Sequence, residues 1–310
     1  MLDYNSILSD CGVGKLTSSL VVKNIANLEV LYNEAELVSI YNYFLLNVED
    51  PEILIQVIKL TDEHHAETTL SILLEMLQFK SDEDNESFIN VRTMCVRTIA
   101  NYKDTSTVTA LLNCMNNKKE NYKVRLACAD ALGRIGDRYA VKPLLDLVED
   151  DEEKSVYLKE SAAFALGMIG DMKAVDPLVN ILETKKGIID KFTFLKERAI
   201  EALSKIDFKK NDRVFNALKN SLNDESVQVR VNAIEALSNT DDSRVPDILY
   251  SCLTDKSEEV VRNAIIALFN ILGEDILYKI LNDYSLPEHT MKQVREVIKE
   301  VEEADDEEDE

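Results

Sequence analysis

Glycine and proline are scarce in this chain of 310 residues, at 8 and 5. Little turn or linker chemistry is therefore available, and the composition suits long helices joined by short turns. No Cys-x-x-Cys pair occurs among the five cysteines, Cys11, Cys95, Cys114, Cys128 and Cys252. That spacing and the odd number argue against a disulfide framework or a zinc knuckle. Cys95 and Cys128 stand 33 positions apart in similar strings, which reads as small apolar core residues, with a redox pair as the alternative. No apolar run reaches the length a membrane span needs, and Met1 opens no basic-then-apolar signal, so the expected location is cytoplasmic. Base is also in deficit. Against 58 acids stand 35 lysines and arginines, for a formal charge of −23. Such a chain repels phosphate backbones, which excludes direct nucleic-acid binding as the expected work. The last nine residues, from Glu302, hold eight acids and no base. They are expected to be disordered over 302–310, either as a solubilising end or as a lure for a basic partner.

What the sequence has in abundance is repetition. From Val124 it reads VRLACADALGRIGDRYAVKPLLDLVED and from Leu158 LKESAAFALGMIGDMKAVDPLVNILE. Weaker copies start at Val91, Leu195, Val229 and Val261, and the basic residue in second place falls at Arg92, Arg125, Lys159, Lys196, Arg230 and Arg262. Steps of 33, 34, 37, 34 and 32 between those bases mark a stacked array. Inside a unit, Val124, Ala127, Ala131, Leu132 and Ile135 lie on one side of a helix. Gly136 then suits a left-handed helix end, and Asp137 suits the cap of a second helix whose buried stripe is Val141, Leu144, Leu145 and Val148. Pro143 and Pro177 fall in the first turn of that helix, where a missing N–H costs little.

Helix, tight turn, helix, short loop, at this period and with ALGxIGD-like segments at Ala131–Asp137 and Ala165–Asp171, resembles the HEAT repeat, in the variant found in phycobilisome lyases. The resemblance covers roughly residues 88 to 275. It implies an all-α fold, an α-α superhelix or solenoid of about eight helix pairs. The expected organisation is a flexible N-terminus over 1–15, diverged helical repeats over 16–87, HEAT-like repeats over 88–285, and a capping helix over 286–301 before the acidic tail. The long step places an insertion at Thr184 to Lys191, a locally basic loop that reads as a tolerated surface insertion or a contact point. Near Val260 the register is ambiguous by one residue, since Asn263-Ala264-Ile265 matches Asn232-Ala233-Ile234 while Gly273-Glu274 matches Gly136-Asp137.

Constellations that could carry chemistry are few. In the HEAT pattern the recurring base, at Arg92, Arg125, Lys159, Lys196, Arg230 and Arg262, resembles a structural ladder reaching turn carbonyls or an acid of a neighbouring repeat. DCGVGKLTSS around Cys11 lacks the first glycine of a phosphate loop, at Ser9, and has Leu16 where Ser or Thr belongs. His64 and His65, beside Glu63 and Glu67, are too few for an iron site. The HEAT-like di-iron hydroxylases that act on deoxyhypusine are similar in repeated His-Glu dipeptides from several repeats, and these are lacking here; His289 stands alone near the far end. No catalytic residue, metal or cofactor is therefore expected. HEAT-like glycosylases that bind alkylated DNA need a basic surface, which the acidic charge contradicts.

Stacking of such pairs creates a long concave surface lined by second helices. On those helices Lys142, Asp146, Lys173, Asp176, Asn180, Arg213, Asn216 and Asn220 point away from the core stripe and form the expected contact set. Their mixture of charge and amides suits a polar protein surface or an extended peptide. The sequence thus reads as a non-enzymatic scaffold, adaptor or assembly factor for another protein. The alternative that the resemblance implies is a lyase-like or protein-modification enzyme subunit.

Overall fold

Many of the helices begin or end on short-range chemistry that the sequence supplies. Asn33 and Glu36 form a reciprocal capping box, Asp50 caps a helix that starts at Pro51, and the side chains of Asn121, Asn211 and Ser226 accept from the first-turn N–H groups that follow them. Two first helices of the strongest repeats end in the left-handed conformation: Gly136 and Gly170 have φ of 77° and 70°. The weaker repeat before them places Lys103 in that position, at φ 52°.

The computed structural model describes residues 2–83, 85–150, 152–183, 193–206 and 211–308. Eighteen α-helices and no strand occur among the described residues. They are α1 (Tyr4–Asp10), α2 (Ser18–Ala26), α3 (Glu34–Asn47), α4 (Pro51–Thr61), α5 (Glu67–Met76), α6 (Glu86–Tyr102), α7 (Val108–Asn116), α8 (Tyr122–Ile135) and α9 (Val141–Glu149), followed by α10 (Val156–Ile169), α11 (Val175–Glu183), α12 (Thr193–Lys205), α13 (Asp212–Ser221), α14 (Val227–Ser238), α15 (Val245–Ser251), α16 (Glu258–Leu272), α17 (Asp275–Leu281) and α18 (Glu288–Glu308). From α2 to α17 they form eight consecutive pairs. The chain divides into two compact units, residues 1–165 and 166–310.

In the first unit, α2, α4, α6 and α8 pack in sequence as one row of first helices, and α3 packs on α5 in the row of second helices. Val57, Ile99, Leu111 and Leu132 are fully buried between the rows. In the second unit, α12, α14, α16 and α18 continue as a row of first helices, and α11 packs on α13. Small residues let that row close up. A Cβ placed on Gly167 of α10 would stand 2.5 Å from the Ala202 Cα of α12, so glycine is needed for that approach. This is an all-α solenoid of HEAT-like helix pairs.

Several sequence expectations need adjustment. The stretch expected to be a flexible end over 1–15 contains α1, capped by Asp3 and anchored by buried Ile7 and Cys11. Asn24 Nδ2 donates to the Cys11 carbonyl at 3.1 Å, which ties that end to α2. The glycines at 12 and 14 there shape a turn, and Lys15 Nζ donates to Ser9 Oγ at 2.7 Å. The tail expected to be disordered from Glu302 is helical to Glu308, as the continuation of α18. Pairs one helical turn apart, Lys292 with Glu296 and Lys299 with Glu303, offset part of the repulsion among its acids. The turn after Gly136 is not a direct step into the next helix: Asp137 caps one turn of 3-10 helix, Arg138–Ala140, before α9. The insertion at Thr184 to Lys191 lies outside the described residues.

Candidate functional site

The recurring base is built into the joints of the array. Arg92 on α6 donates from Nη1 to the Phe79 and Lys80 carbonyls, at 3.0 and 3.3 Å, and from Nη2 to Glu120 at 2.9 Å. One guanidinium therefore ties the loop before its own helix pair to the loop after it. Arg125 repeats the arrangement, from Nε to the Met115 carbonyl at 2.7 Å and from Nη2 to Glu153 at 2.6 Å. In the second unit, Lys196 reaches Asp224 at 2.5 Å, and Arg230 reaches the Asp224 and Glu225 carbonyls and Asp255. Each acid also accepts the N–H of a residue opening the next helix: Asn121, Ser155, Ser226 and Ser257. Burial alone would raise the Glu153 pKa, but the Ser155 N–H and the Arg125 guanidinium bring it below the ordinary carboxylate value.

Two positions of the series depart from this pattern. Lys159 is half-buried and its field helps to lower the Asp150 pKa, after the Lys118 and Glu152 hydrogen bonds; the loop where its own acid would stand, 28 residues on, falls outside the described residues. Arg262 pairs with Glu300 of α18 at 2.7 Å and its side chain is 34% exposed, against 4% for Arg230. The one-residue slip suspected in the sequence explains this. Ser226 and Ser257 are equivalent N-caps, so the position of Arg230 is taken by buried Val261, and Arg262 is turned about 100° around the helix toward solvent.

The contact set expected on the second helices is exposed, and much of it is spent on internal pairing. Lys142 bonds Asp146 one turn along α9. Arg213 on α13 reaches across to α11, to Asp176 at 2.5 Å and Asn180 at 2.7 Å. Lys173 sits in the one-turn helix before α11, where its N–H donates to Asp171. Asn216 and Asn220 are exposed on α13.

A groove of about 570 Å³ lies elsewhere, on the first-helix side of the first unit, between α4, α6 and α8. Ile55, Met94 and Leu126 line it together with the small side chains Ala100, Ala127 and Ala131, while Arg97, Lys123 and Arg134 stand at it as cations. Small residues make the depression, because bulky ones at 127 and 131 would fill it. Lys123 is paired with Glu86 at 2.6 Å, and Arg134 donates to Asn101. Arg97 is exposed with no partner among the described residues. Thr93 Oγ1, also at the groove, is buried without a hydrogen-bond partner there. The sequence signal for this face was present in the three- and four-residue spacing of Asn90, Met94 and Arg97 on α6 and of Lys123, Leu126, Asp130 and Arg134 on α8. These positions lie on first helices, outside the contact set expected on the second helices.

The remaining candidates resolve locally. His64 lies against Tyr41 with ring centroids 6.0 Å apart, His65 against Tyr102 at 4.7 Å, and His289 Nε2 is 2.9 Å from the Asp255 carbonyl in the seating of α18. Among the described residues no group of three His, Cys, Asp or Glu is placed to hold a metal ion. All five cysteines are buried. Burial raises the Cys11 and Cys252 thiols to about 11 and Cys95 to about 12. Cys95 and Cys128 are core residues, and the neighbouring thiols are Cys114 and Cys128, which share a hydrogen bond that lowers the first and raises the second. No described helix is long and apolar enough to cross a membrane.

Comparison with known proteins agrees with this architecture. The family model described as HEAT repeats matches residues 84–156 and 189–269, and the one described as PBS lyase HEAT-like repeat matches 158–184. No curated protein sequence matches. Among solved structures, Kap121p is similar at 14% identity over 94% of this chain and 37% of its own length, with a TM-score of 0.56. YibA of E. coli is similar at 15% identity over 95% of this chain and 96% of its own, with a TM-score of 0.50. The complex of CpcE and CpcF of phycocyanin lyase from Nostoc shows 17% identity over 91% and 93%, with a TM-score of 0.45. At these identities the likeness concerns the fold alone. Matched over more than half of its length, with eight consecutive helix pairs and the joint-spanning base, the chain belongs to the HEAT-repeat family.

Proposed function

We propose that this chain is a non-enzymatic protein-binding scaffold that grips a partner protein or peptide on a helix face of its repeat array. The observation that supports the reading is the groove between α4, α6 and α8, which offers a half-buried apolar floor beside the exposed Arg97 and the unpaired buried hydroxyl of Thr93. Packed repeat arrays bury such groups or use them, because an unpaired buried hydroxyl costs free energy. The second-helix set is the competing face, and its residues are largely occupied by each other. A photo-crosslinking amino acid placed at Leu126, and in a separate variant at Asn216, decides between them in native lysate. Capture of a discrete protein from position 126, absent at 216 and absent with a matched acidic control protein, is the expected result. Capture from 216 alone would move the site to the second helices, and capture from neither would end the scaffold reading.

A further inference from the structure

We infer that the groove between α4, α6 and α8 is the docking site for an acidic segment of a partner protein, one carrying apolar side chains among its carboxylates. This rests on the protein-binding reading above and adds the chemistry of the partner. Arg97, Lys123 and Arg134 stand at the groove against one lining carboxylate, Asp130, in a chain whose acids outnumber its bases 58 to 35. The local balance of charge is reversed relative to the whole molecule. Of the three cations, Arg97 has no ion pair or hydrogen bond among the described residues, and its planar fork matches a carboxylate in two parallel hydrogen bonds.

The floor sets the second requirement. Ile55, Met94 and Leu126 are half-buried, so an occupant made only of acids would leave them wet, and one made only of apolar residues would leave the cations unmatched. Methionine at the centre adapts to side chains of different shape. A nucleic acid would meet the same three cations, but its phosphates would leave the apolar floor of Ile55, Met94 and Leu126 uncovered.

The probe is a fluorescein-labelled peptide of about fifteen residues, Glu and Asp with Leu and Phe at helical spacing, titrated by anisotropy into the full chain. Saturable binding is expected, weakened by salt, with Arg97→Glu losing about tenfold or more in affinity and Lys123→Glu losing less because Lys123 is already shared with Glu86. Arg97 is exposed, so the variant should keep the wild-type melting temperature, which circular dichroism checks. A peptide with Lys at every acidic position, or with Ser at every apolar one, should bind about tenfold more weakly or worse. Equal binding by the Lys peptide, no loss in Arg97→Glu, or displacement of the peptide by a short DNA duplex would overturn the inference. If the crosslinker at position 126 captures a partner that the acidic peptide does not displace, the scaffold reading stands and the acidic chemistry falls.

Discussion

Removing Arg125 would strand a carboxylate. Glu153 and Arg125 are each 8% exposed and joined at 2.6 Å, and the desolvation that the pair tolerates together becomes uncompensated when one partner is lost. Arg125→Ala should therefore cost about 3–5 kcal/mol of stability by urea unfolding, whereas the double change Arg125→Met with Glu153→Leu should recover most of the loss. A double variant as unstable as the single one would show that packing, not charge, is what Arg125 supplies. The same pair leaves a trace in pH. Because the folded Glu153 pKa lies below the ordinary 4.5, its contribution is complete above that value and is lost as pH falls through the lowered one. Wild type and Glu153→Gln should thus differ in stability at pH 6 and converge once the pH has fallen through the lowered pKa, where both side chains are neutral.

At the scale of the helix, two glycine positions make opposite demands. Gly167 has ordinary backbone angles but no room: its added Cβ would meet the Ala202 backbone of α12. Gly167→Ala should destabilise by about 1–3 kcal/mol through overpacking, in spite of the ~1 kcal/mol that alanine gains in helix propensity. Lys103 is the reverse case, with space but a left-handed φ of 52° where the stronger repeats have glycine. Lys103→Gly should leave stability unchanged or raise it by up to ~1 kcal/mol, since relief of backbone strain competes with a freer unfolded chain. Thermal unfolding of both variants is the check, and a destabilising Lys103→Gly would mean that the lysine side chain supports the turn. These positions also show what was readable in advance. Period, helix ends and core stripes follow from local rules, so Val124, Leu132, Gly136 and Pro143 announced the helix pair. The loop acids of the ladder, Glu120 and Glu153, did not announce themselves among 58 acids, because which carboxylate meets Arg92 or Arg125 is set by stacking. Likewise the groove arises from three helices meeting, and Ile55, Met94 and Leu126 looked like ordinary core positions one at a time.

For the molecule as a whole, charge sets two salt effects of opposite sign. With 58 acids and 35 bases, a large surplus of carboxylates has no cation to meet, and their mutual repulsion opposes the compact state. Exposed pairs such as Lys142–Asp146 and Arg244–Asp212 contribute little and are screened by the same salt. The ladder pairs at Arg92 and Arg125 are buried and screened much less. Repulsion is therefore the term that salt removes most effectively. Raising sodium chloride from about 10 mM to about 0.5 M, which shortens the screening length from ~30 Å to a few ångströms, should raise the melting temperature by a few degrees. Over the same range the acidic probe peptide should bind more weakly, because Arg97 and its neighbours attract it through solvent. Opposite slopes separate folding from docking. A melting temperature that falls with salt would show that the exposed pairs, not the surplus of acid, dominate the surface electrostatics.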